Sequence, residues 1–114
     1  EMNVQIFGTK KSFDSKKAER YFKERGIKYQ FVDMKEKGLS KGEFHSVCQA
    51  VGGYEKLIDP KCKDKNLLAL VQYLSEEDKK EKILENQKII RTPIVRNGKQ
   101  ATVGYEPDVW KDWK

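Results

Sequence analysis

The chain opens with a strand, a helix and a second strand packed into its first 33 residues, the length of one βαβ unit. Val4 and Ile6 alternate with Gln5 and Phe7 in a short strand that stops at Gly8. A polar turn, Thr9-Lys10-Lys11, leads to Ser12, a helix N-cap type of residue, with Asp14 in the first turn. Ala18, Tyr21, Phe22 and Arg25 recur at helical spacing, and Gly26 is a fitting stop. Ile27 to Asp33 then read as a second strand. An opening of this kind directs the chain to an α/β fold.

The middle changes character. Ser40-Lys41-Gly42-Glu43 fits a capping box, and Phe44, Val47, Cys48 and Val51 make a helical stripe that Gly52-Gly53 ends. Asn66 is expected to cap a helix bearing Leu67, Leu68, Leu70, Val71 and Leu74. Ser75 with Asp78 begins another that runs towards Asn86. The end returns to β structure, with Pro93 to Arg96 and Lys99 to Val103 flanking Asn97-Gly98, a type I′ hairpin signal. Pro107 can start a last helix with Val109, Trp110 and Trp113 on its apolar face. The order βαβ, helices, ββα predicts a four-stranded mixed sheet flanked by helices, the thioredoxin topology. Residues 1–114 are read as one domain, with an all-helical insertion over about 40–86.

Composition narrows the function classes. Lys and Arg number 24 against 18 acids, a formal +6, which suits a small oxyanion, nucleic acid or an acidic protein face. No nucleic-acid motif accompanies the lysines, which alternate with acids, so direct nucleic-acid binding is not expected. No apolar run reaches the roughly 20 residues of a membrane span, and Glu1 to Val4 do not begin a signal peptide. The two cysteines, Cys48 and Cys62, form no C-x-x-C pair. With His45 as the one histidine, no zinc site is expected, and a reducing cytoplasm is the natural setting.

Two segments can carry chemistry. Ser12 stands where a helix N-terminus presents free backbone N–H groups and a positive dipole end, with Lys10, Lys11, Lys16 and Lys17 around it. Such a place acidifies a thiol and attracts an oxyanion. A serine hydroxyl gains little from these fields, and no histidine lies nearby in sequence to act as its base. The competing reading is a serine N-cap among solvated lysines. The second segment is Arg91-Thr92-Pro93 at the entry to a strand. Sequence pattern alone favours a trans Thr92-Pro93 bond, because cis forms make up only about 5% of X-Pro bonds. Cys48 on its apolar stripe is expected to be buried and inert. Cys62, among Lys61, Lys63 and Lys65, is expected to be exposed, as an incidental or a regulatory thiol, and His45 is expected at the surface.

Gly8-Thr9-Lys10-Lys11-Ser12-Phe13-Asp14-Ser15-Lys16-Lys17-Ala18 together with Arg91-Thr92-Pro93-Ile94-Val95, Asn97-Gly98-Lys99 and Thr102-Val103-Gly104-Tyr105 resembles the ArsC/Spx family of arsenate reductase-like proteins nearly end to end. The resemblance implies a thioredoxin-like fold in which Pro93 is a cis proline opposite the first helix N-terminus. It assigns Ser12 to the position of the family's nucleophilic cysteine and Ser15 to the second C-x-x-C position. In arsenate reductases of the family the cysteine thiolate attacks arsenate and is resolved with glutathione through glutaredoxin. Lys11, Arg91, Thr92 and Pro93 are then substrate-binding candidates, and glutathione or a protein thiol is the implied co-substrate, with no bound cofactor or metal.

The departures from the family pattern matter as much. Thr92 stands where glutaredoxin-linked arsenate reductases have an arginine before the proline, with Arg91 one residue earlier, and Tyr105 stands where another arginine follows the late glycine. The mid-chain arginine has no clear counterpart near Leu57-Ile58-Asp59. Arsenate is therefore a doubtful natural substrate. Gly104-Tyr105 is closer to the Spx branch, whose members bind the RNA polymerase α subunit and need no reductase activity. The expectation is a monomeric thiol-disulfide oxidoreductase relative that is redox-inactive with Ser12 in place. The alternative is a non-enzymatic regulator of Spx type. Whether Ser12 is natural or replaces a cysteine is settled by codon 12 of the gene.

Overall fold

A computed structural model of the chain describes residues 2–114. Four strands, β1 (Val4–Gly8), β2 (Tyr29–Asp33), β3 (Ile94–Asn97) and β4 (Gln100–Val103), form one mixed sheet in the order β2-β1-β3-β4. β1 and β2 run parallel, joined by helix α1 (Phe13–Glu24), while β3 is antiparallel to both β1 and β4. Between β2 and β3 come α2 (Lys41–Val51), a 3₁₀ turn (Tyr54–Leu57), α3 (Lys65–Tyr73), α4 (Glu76–Glu85) and a second 3₁₀ turn (Gln87–Ile89). A short α5 (Pro107–Trp110) follows the hairpin, with Pro107 in its first turn. This is the expected thioredoxin-like α/β architecture with a helical insertion.

The strand alternation explains the layers. Val4, Ile6 and Val95 face α1 and α5, packing with Ala18, Tyr21, Phe22, Trp110 and Trp113. Phe7 and Ile94 face the other way, joining Phe44, Val47, Leu57, Ile83 and Ile89 of the insertion. The sheet thus separates two cores, each built from residues three or four apart on a helix.

Local chemistry sets the ends of these elements. The Ser40–Glu43 capping box starts α2 as expected. α1 ends in a Schellman motif, with Ile27 N–H donating to Phe22 O (2.9 Å) and Gly26 N–H to Lys23 O (3.1 Å). Ile27 therefore belongs to the helix cap, and β2 begins later than expected, at Tyr29.

Three other expectations are corrected. Asp64, not Asn66, caps α3; its carboxylate accepts from Leu67 N–H (3.0 Å) and is held by Lys88 Nζ (2.9 Å). The hairpin loop is Gly98-Lys99, because Asn97 pairs with Gln100. Positive φ occurs at Gly98 (61°) but not at Lys99, the pattern of a type II′ rather than a type I′ turn. Val109, expected on the apolar face of α5, is 42% exposed, whereas Trp110 and Trp113 are buried.

Candidate functional site

The parallel and antiparallel pairings bring four chain segments to one end of the sheet. Phe7 pairs with Ile94 and Ile94 with Val103, so Gly8, Pro93 and Gly104 stand side by side just beyond the paired residues. Gly104 N–H donates to Pro93 O (2.8 Å), and Met34 N–H donates to Gly8 O (2.9 Å). The loop Thr9 to Ser12 leaves this end and turns directly into α1.

Ser12 is the N-cap of α1, in extended conformation, with its Oγ accepting from Ser15 N–H (3.2 Å). Its own N–H donates to Thr9 O (3.3 Å). Ser12 is half-buried, Lys10 and Lys11 are exposed, and Phe13 is 80% exposed. Ser15 is fully buried, and its Oγ accepts from Thr9 N–H (3.3 Å). The first turn of α1 presses against the end of β1 so closely that a Cβ on Gly8 would lie 2.8 Å from Ser15 Cβ. That approach requires glycine at position 8.

Thr92-Pro93 is a cis peptide, as the family resemblance implies and against the trans form that sequence pattern favours. Pro93 is buried and Thr92 half-buried. Arg91 is held through its backbone, with N–H donating to Leu57 O (2.7 Å). Its exposed side chain folds over Gly104, where a Cβ would meet Nη2 at 3.1 Å. The cavity of about 480 Å³ beside it is lined by Val51, Lys56, Arg91, Thr102, Val103 and Glu106. None of residues 9–17 lines that cavity. The structure therefore unites Ser12 with Ser15 and places Thr92-Pro93 at the same sheet end. Arg91 points along the flank of β4 instead, and no hydrogen bond or ion pair ties it to Lys11 or Ser12 among the described residues.

What this arrangement can do follows from the hydroxyl at its centre. The α1 N-terminus offers a positive end to residue 12, with exposed lysines beside it. No histidine or carboxylate is hydrogen-bonded to Ser12 Oγ among the described residues, so nothing removes its proton. The hydroxyl is used structurally, as a cap.

Both cysteines depart from their expected environments, Cys62 wholly and Cys48 in part. Cys62 is buried (8% exposed), with Sγ donating to Lys88 O (3.7 Å), because its turn folds under the second 3₁₀ turn. Cys48 is half-buried at the edge of its core, and desolvation pushes its thiol above the ordinary value, with Lys80 pulling the other way. Both remain free thiols. His45 is exposed, as expected. Among the described residues no group of three or more His, Cys, Asp and Glu could hold a metal. Among them, too, no helix is long and apolar enough to cross a membrane.

Phe13 belongs to the motif that carries the family resemblance, but its 80% exposure is not evident from the sequence. The signal that bears on it is its place directly after an N-cap, off the Ala18–Tyr21–Phe22 stripe that faces the core.

A mixed β2-β1-β3-β4 sheet with a helix N-terminus beside a buried cis proline defines a thioredoxin-like protein. The ArsC family model matches residues 7–113, and the chain belongs to the ArsC family. Its fold is similar to that of an ArsC family related protein from Bacteroides fragilis, at TM-score 0.85 and 19% identity, covering 99% of this chain and 98% of the other. It is also similar to an arsenate reductase from Vibrio cholerae, at TM-score 0.81 and 25% identity, covering 95% and 94%. Among curated proteins no sequence matches.

Proposed function

We propose that this chain is a thiol-reductase scaffold of the arsenate reductase-like kind that performs no redox turnover with serine at position 12. The observation that supports this reading is the state of the Ser12 hydroxyl: it caps α1 by accepting from Ser15 N–H and has no base among its hydrogen-bond partners. An oxygen in place of sulfur cannot form the mixed disulfide on which thiol–disulfide exchange depends. The scaffold around it is intact. In this reading Thr92-Pro93 and Lys11 dock an extended thiol substrate, glutathione or a protein thiol, and Ser15 fills the resolving position, while Arg91, folded over Gly104 on the flank of β4, stands outside the docking site. The protein acts as a monomer in the cytoplasm, where reduced thiols are abundant. Arsenate is not its preferred substrate, because Thr92 and Tyr105 replace the arginines that would clamp the oxyanion.

The experiment is Ser12→Cys. Its thiolate should attack one sulfur of glutathione disulfide, forming a mixed disulfide and expelling the second glutathione as a thiolate. Glutathione-dependent reductase activity should then appear in the variant and be absent from the parent, with little dependence on arsenate. Activity in the unaltered chain, or none in a folded variant, contradicts the proposal.

A second reading, a regulator of Spx type that binds the RNA polymerase α subunit, is favoured by Gly104-Tyr105, whose ring is partly exposed beside the candidate site. Retention of the carboxy-terminal domain of RNA polymerase α on the immobilised chain separates this reading from the first.

A further inference from the structure

α1 carries a stripe that neither core uses in full. Lys17, Tyr21 and Arg25 are spaced four residues apart and share one helix face. Together with Arg20, Glu24, Tyr105 and Pro107 they line a groove of about 340 Å³ between α1 and the start of α5. The floor is aromatic: Tyr21 packs edge-on against Phe22 and Trp110 at 5.0 and 5.2 Å, and Tyr105 meets Trp110 at 5.5 Å.

The cations are oriented but not neutralised. Arg25 lies over the Tyr21 ring at 3.7 Å and donates through Nη1 to Tyr21 O (3.1 Å), its only side-chain hydrogen bond among the described residues. Lys17 Nζ sits 5.5 Å from the Tyr105 ring centroid. The two salt bridges among the described residues, Lys82–Glu85 and Lys88–Asp64, both lie elsewhere. Even Glu24, one helical turn after Arg20, forms no ion pair with it. Three cations against one acid, held beside two tyrosine rings, are complementary to an anionic partner with apolar bulk.

We propose that this α1–α5 groove docks an acidic, aromatic-containing peptide segment of a partner protein. Carboxylates of the partner pair with Arg20, Arg25 and Lys17, accepting hydrogen bonds that the planar guanidinium groups can donate in bidentate fashion. Its apolar side chain rests on Tyr105 and Pro107. The groove is a short hollow of about 340 Å³ rather than a long cationic track, which suits a peptide's side chains better than a nucleic-acid backbone. Neither Ser12 nor Pro93 lines the groove, and its occupancy does not depend on the chemistry of residue 12.

Fluorescence anisotropy with a labelled Glu-rich peptide carrying one Phe tests the proposal. The peptide should bind at low salt, weaken as salt rises, and lose binding when its Glu residues become Gln. Arg20→Gln with Arg25→Gln should weaken it about tenfold, the size expected from losing two rim ion pairs. Lys79→Gln with Lys35→Gln, away from the groove, should leave it unchanged. Amide resonance shifts should fall on residues 17–25 and Tyr105. Should Arg25→Gln unsettle α1, Lys17→Gln with Arg20→Gln carries the same expectation. Absence of binding, equal affinity in the groove variants, shifts elsewhere on the fold, or tighter binding of a labelled DNA duplex through the same residues overturns the proposal.

Discussion

Position 12 shows how one residue can be legible in role and silent in use. Its identity as a helix cap follows from residue type and the helical pattern after it, and the structure places it there. Ser12→Ala should cost about 1 kcal/mol by leaving Ser15 N–H without its acceptor, measurable by urea unfolding. The burial of Ser15 was not legible, because it depends on how closely α1 approaches Gly8. Cys62 failed for a related reason. Three neighbouring lysines reported the chemistry of the turn, while its burial is set by a distant segment at Lys88. Tyr29 supplies a titration at the same scale. Its phenol is pushed up to about 12 by desolvation and by the hydrogen bond it donates to Glu19 Oε1 (2.9 Å). The folded state therefore holds this proton more tightly than the unfolded chain. The resulting stabilisation is complete below the ordinary value of 10 and is lost as pH rises towards 12. Tyr54 is also raised, by desolvation and by its hydrogen bond to Glu76, so ultraviolet titration should show late-ionising tyrosines of which Glu19→Gln brings down only Tyr29.

At the scale of elements, signals confined to a few adjacent residues were the readable ones. The Ser40–Glu43 capping box is complete in both directions, with Glu43 N–H donating to Ser40 Oγ (3.1 Å) and Ser40 N–H to Glu43 Oε1 (2.8 Å). Ser40→Ala should lower stability by about 1 kcal/mol. Choices between equally good local candidates were not readable. Asp64 and Asn66 are both capping residues, and the ion pair from Asp64 to Lys88 joins only the first to a remote part of the chain. Asn97-Gly98 marked a hairpin correctly, but register moved its loop one residue onward, since Asn97 is occupied by Asn3 N–H and Gln100. Gly98→Ala should cost about 1–2 kcal/mol, because φ there is 61°, and thermal unfolding reads that loss.

For the whole molecule, the βαβ opening and ββα ending were enough to define the sheet, since each is a contiguous run with its own turn signals. What the sequence pattern left open was the set of residues at the sheet's end, which only strand register and the cis bond at Thr92-Pro93 define. The two cores on opposite faces make the fold depend on buried aromatics. Trp110 is 2% exposed, and its indole N–H donates to Thr102 Oγ1 at 2.8 Å. Trp110→Ala should cost about 3–5 kcal/mol in denaturant unfolding, through the cavity and the lost partner of Thr102. In the proposed reading this architecture still offers residue 12 a thiolate-stabilising helix terminus, although the serine there cannot use it. Rates of iodoacetamide alkylation at position 12 in Ser12→Cys, followed by mass spectrometry across pH, measure the thiol pKa directly. A value well below the roughly 8.5 of a free cysteine is predicted, and a value at or above it contradicts the account.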